Sequence, residues 1–100
     1  MMAIIGAHPA LWVTAVTLLR SGPYSEANMQ AWNHALLAAC RRHPTMRVFD
    51  WAAWAKPRWF IADGIHYYSP GYVARAHRIA NGLAHAFPAG APSSTGCLVR

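Results

Sequence analysis

Acidic side chains are nearly absent from this chain of 100 residues. Glu26, Asp50 and Asp63 are the full set, against nine Lys and Arg and a formal net charge of +6. Such scarcity makes the position of each carboxylate informative. Long basic runs are absent as well. The cations are scattered, the longest run is Arg41-Arg42, and no reader motif accompanies the charge, so nucleic acid is not expected as a partner. Scattered cations suit solvated helix faces and helix C-termini. Cysteine is limited to Cys40 and Cys97, far apart and without C-x-x-C spacing. This excludes a disulfide framework or a zinc site as an expectation. Cys40 reads as a small buried hydrophobe and Cys97 as part of a tail. His8, His34, His43, His77 and His85 show no metal-ligand spacing, and neither metal nor cofactor is expected.

Charge is also missing from Met1 to Leu19, a stretch near the length of a membrane span. Pro9 interrupts it, His8 lies beside the proline, and no basic n-region precedes it. The stretch reads better as the end of a helix stopped by Gly6, a turn, and a buried strand. No signal peptide and no internal repeat are visible.

Apolar residues make up 55% of the chain, enough for one small domain with a modest core. Leu11 to Leu18 is almost wholly apolar, as in a strand of a parallel sheet covered on both faces. Ser25 is placed to cap the next helix, with Glu26 in its first turn. Met29, Trp32, Leu36 and Cys40 form its core-facing stripe, and Pro44 ends it. Met46 to Asp50 reads as a second strand, completing a βαβ unit. An aromatic connection containing Trp51, Trp54, Trp59 and Phe60 follows. Ser69 is expected to cap a last helix with Pro70 at its first position. Tyr72, Ala76, Ile79, Ala80, Leu83 and Phe87 are its expected buried face. The domain is expected over 1–88, with 89–100 a disordered tail.

Between the aromatic connection and the last helix lies Asp63-Gly64-Ile65-His66. The spacing alone is a weak pattern, since an Asp-Gly turn before a packing histidine has the same letters. Its place is more telling. Sites in open α/β sheets gather beyond the carboxyl ends of the strands. A neutral imidazole can take a proton from an attacking hydroxyl, and a carboxylate fixes its tautomer and stabilises the imidazolium. Gly64 would permit the tight turn that lets one segment supply both groups. Trp51, Trp54 and Trp59 either line an acyl pocket or pack the loop onto the sheet.

The segment "WFIADGIHYYSPGYVARAHRIANGLAHAF" resembles the C-terminal block of the SGNH (GDSL-type) hydrolase family, with its D-G-x-H segment and alanine-rich final helix. The upstream "LWVTAVTLLRSGPYSEANMQAWNHALLAACRRHPTMRVFDW" resembles the same family, and the alanine- and arginine-rich flavour is similar to actinobacterial members. The resemblance covers roughly residues 1–88. It implies an α/β/α sandwich with a flavodoxin-like parallel sheet, here a βαβα fragment with at least two parallel strands. It implies hydrolysis of acyl esters, with Asp63 and His66 matching the family's triad aspartate and histidine.

The family's G-D-S serine and its G-x-N-D oxyanion block have no counterpart here. Asn28, Asn33 and Asn81 lie in helices, and Ser21, Ser25 and Ser69 in other segments. The chain is therefore expected to represent the C-terminal part of such a domain and to be inactive alone. It would meet an acyl ester only in the complete domain, through a complementary N-terminal fragment, or would self-associate. Family members are often exported. The alternatives are a non-catalytic interaction module and a small basic membrane-associated protein anchored by residues 1–19.

Overall fold

A computed structural model of the chain describes residues 2–100. Its elements are α1 (Met2–Ile5), β1 (Ala10–Val13), α2 (Glu26–Cys40), β2 (Met46–Phe49), α3 (Ser69–Ala86) and β3 (Leu98–Val99). The expected opening helix is α1, closed by Gly6 at φ +65°. Met1 lies outside the described residues.

The three strands form one open, all-parallel sheet in the order β1-β2-β3. This is an α/β chain, as the apolar strands implied. Central β2 is buried at all four positions. Successive side chains alternate between faces, and each face has its own helix. Met46 and Val48 pack with Leu36 and Cys40 of α2. Phe49 packs on the other side with Ala86 of α3, and with Trp51 and Val99.

Four expectations are corrected. The first strand is half its expected length and ends at Val13. Its last ladder bond, from Thr14 N–H to Phe49 O, falls where β2 itself stops. Beyond it, side chains replace the ladder. Asn33 brackets Ala15 through both its backbone N–H and its C=O, at 2.8 Å each. Glu26 accepts from Thr17 N–H at 3.2 Å.

The second correction is the cap of α3. Tyr68 occupies that position, and Ser69 is already helical, with Pro70 in the first turn. Ser25 does cap α2, accepting from Asn28 N–H at 3.3 Å.

The third concerns the buried face of α3: Ile79 and Phe87 pack half-buried as expected, but the fully buried positions are Gly71, Gly82 and Ala86. Tyr72 and Leu83 are 45% and 49% exposed. Small residues win because they let the helix axis approach the sheet. A Cβ on Gly82 would lie 2.6 Å from Phe49 Cδ1.

The fourth concerns the tail and the cysteines. Residues 98–99 pair with β2 as β3, and Cys97 is joined to Cys40 by a disulfide. The two Cα atoms are 6.0 Å apart despite a sequence separation of 57. Arg47 reinforces the attachment by donating to the carbonyl of Ser94. Arg100 approaches Asp50 at 3.7 Å.

Candidate active site

Asp63 and His66 sit on a loop that leaves the aromatic connection and returns to it. Phe60 and Tyr67 form an isolated antiparallel bridge at its base. Within the loop, Ile61 N–H donates to His66 O at 2.9 Å and Gly64 N–H to Ile61 O at 3.0 Å. The turn requires Gly64, whose φ is +71°, in the left-handed region that side chains disfavour. Gly64 is buried, and its carbonyl accepts from Leu18 N–H at 2.9 Å. The irregular stretch after β1 thus holds the loop from below.

The turn brings the aspartate back onto its own segment. Asp63 Oδ1 accepts from the backbone N–H of Ile65 at 2.8 Å and of His66 at 2.9 Å. Its Oδ2 lies 2.6 Å from His66 Nδ1. The bond to His66, and then the two backbone N–H groups, hold the Asp63 carboxyl down from its ordinary 3.8 to about 2. An ionised carboxylate only accepts, so His66 Nδ1 carries the proton and donates it. Nε2 is then the basic nitrogen. Both side chains are open to solvent, His66 at 64% and Asp63 at 40%.

His66 borders a cavity of about 300 Å³ whose walls include Thr14, Val16, Trp51, Tyr67 and Arg75. Trp51 is buried and donates from Nε1 to the Tyr67 hydroxyl at 2.9 Å. It stacks on Trp59 with ring centroids 5.9 Å apart. Of the three tryptophans considered from sequence, Trp51 faces the cavity. Trp59 backs it, and Trp54 carries the guanidinium of Arg78 at 3.6 Å from its ring centroid. Trp51 therefore lines the cavity, whereas Trp54 and Trp59 pack against the core beside it.

The structure brings the two sequence-derived site residues together through direct contact. No serine hydroxyl among the described residues bonds to His66; Ser25 caps α2 and Ser94 holds Arg47. The supporting roles of Thr14, Glu26 and Asn33 were not read from sequence. Thr14 Oγ1 donates to Asp50 and accepts from Ala52 N–H, tying the end of β1 to the start of the aromatic loop. Polar residues beside an apolar strand were the available clue. Chemically, the pair can hold a neutral imidazole in one tautomer and receive a proton at Nε2. Comparison with protein-family models, with curated proteins and with solved structures finds no match.

Proposed function

We propose that this chain is the acid–base half of an acyl-ester hydrolase site of the SGNH type. The observation that carries the reading is the 2.6 Å contact between His66 Nδ1 and Asp63 Oδ2. His66 borders a cavity at the ends of parallel strands, where sites in such sheets gather. In this reading His66 Nε2 removes the proton from a serine hydroxyl as its oxygen bonds to the ester carbonyl carbon. The imidazolium then returns that proton to the departing alcohol. Water repeats the sequence and frees the acid. Asp63 keeps the ring oriented and stabilises the imidazolium throughout.

The nucleophile and oxyanion donors would come from a complementary segment, which would also cover the free edge of β1. The pure chain is expected to lack ester hydrolysis that depends on His66, since loss of a triad member together with the oxyanion donors costs many powers of ten in rate.

The test begins with the DNA upstream of the Met1 codon, read over on the order of 100 codons, one small domain's worth. A polypeptide joining in-frame G-D-S and G-x-N-D blocks to this chain is expected to hydrolyse short p-nitrophenyl esters. His66→Ala is expected to abolish that activity. Absence of both blocks in every frame, or activity indifferent to His66→Ala, overturns the reading. The exposed Tyr72, Val73 and Leu83 on α3 favour a second reading, a non-catalytic interaction module. That module would keep partner binding in His66→Ala.

A further inference from the structure

All but one of the nine basic side chains are either exposed or fully engaged. Arg20, Arg41, Arg42 and Arg58 are exposed. Lys56 and Arg78 lie over the rings of Trp59 and Trp54. Arg100 approaches Asp50, and buried Arg47 donates to the carbonyls of Pro44, Met46 and Ser94. Arg75 differs. It is half-buried on the second turn of α3, and among the described residues it forms neither an ion pair nor a hydrogen bond. Its place is the wall of the cavity that His66 borders.

Each of the three side-chain carboxylates is engaged elsewhere among the described residues. Glu26 is bound to Thr17 N–H, Asp50 to Thr14 and Arg100, and Asp63 to His66. A guanidinium partly withdrawn from water calls for an anion, and its planar fork matches a carboxylate with two parallel N–H···O bonds. Trp51 and Tyr67 supply an apolar wall in the same cavity for the atoms that separate such an anion from the group at His66.

We infer that the cavity lined by both His66 and Arg75 takes an acyl ester that also bears a carboxylate. Arg75 receives the carboxylate, so that the ester lies toward His66. This assignment rests on the hydrolase reading for the ester, whereas the preference for an anion stands on Arg75 and is tested by binding alone.

Monomethyl adipate and neutral dimethyl adipate are titrated into the intact chain, with the amide resonances of His66 and Tyr67 followed by NMR. The carboxylated ester is expected to bind at least about ten-fold more tightly, as befits a hydrogen bond to a charged group. Arg75→Gln is expected to erase the difference, and Arg75→Lys to retain part of it. Arg42→Gln removes the same charge from an exposed site and is expected to leave the preference intact. His66→Gln is expected to retain it as well. The preference therefore stands or falls apart from hydrolysis, which the esterase assay decides. Equal affinities in the wild type, no saturable binding of either ester, or a preference that survives Arg75→Gln would overturn the assignment.

Discussion

Asp63 shows how a solvent-open carboxylate acquires a fixed task. Two backbone N–H groups and one imidazole N–H converge on its two oxygens, and all three favour the ionised form. The carboxyl is held at about 2 in the folded chain, against an ordinary 3.8. A depressed folded value means that the contribution to stability is fully present above about pH 3.8. It is lost as pH falls toward 2, where the folded state also takes up the proton. The Asp63 side-chain carboxyl, followed by carbon NMR, is therefore expected to titrate near pH 2. A midpoint at 3.8 would mean that the turn does not persist in solution. The residue pair itself was legible in the sequence, because aspartate, glycine and histidine lie within one short segment. The half-buried arginine in the same cavity wall was not, since it comes from a helix and reaches the site only through packing.

At the level of elements, the last helix carries the instructive mismatch. Of its expected core face, Ile79 and Phe87 pack half-buried against the sheet, yet Tyr72 and Leu83 are exposed. Gly71, Gly82 and Ala86 face inward instead, because Phe49 leaves no room for a side chain at Gly82, and Trp59 and Tyr67 leave none at Gly71. Hydropathy registers how much a residue would gain by burial, not how near two backbones must come.

Gly82→Ala discriminates the two pictures. On an exposed helix face it would stabilise by roughly 0.5–1 kcal/mol. Against the buried ring of Phe49 the overpacking cost of about 1–3 kcal/mol dominates. Chemical denaturation is expected to show a net loss, and a gain would place the opposite face of the helix against the sheet. The first strand shows the complementary lesson. Its apolar run continues past Val13, but its partner strand does not, and Asn33 and Glu26 take over the backbone bonds.

For the whole molecule, the decisive link is the one between Cys40 and Cys97. It closes a loop across a separation of 57 residues and fastens the C-terminal segment to β2. A two-residue strand brings few ladder bonds of its own, here Val48 N–H to Cys97 O and Asp50 N–H to Val99 O. By the chain-entropy estimate a cross-link over this span stabilises by about 4 kcal/mol. Reduction is expected to lower the melting temperature markedly and to open residues 88–97 to limited proteolysis. An unchanged melt under reducing conditions would show that the strand holds without its cross-link. The Cα radius of gyration, 14.4 Å, exceeds the ~13 Å of a compact domain of this length. The excess accords with an open sheet whose β1 edge has no neighbouring strand among the described residues.

The sequence by itself determined the local features: the Ser25 cap, the apolar strands that imply a parallel sheet, and the turn that couples Asp63 to His66. Each depends on residues within a few positions of one another, where propensity and side-chain chemistry act directly. Tertiary structure alone decided the third strand, the disulfide, the inward face of α3 and the placing of Arg75 in the wall of the cavity that His66 borders. Those depend on which distant segments come within bonding distance. That proximity follows from how closely helix and sheet can pack, and no short window of residues encodes it.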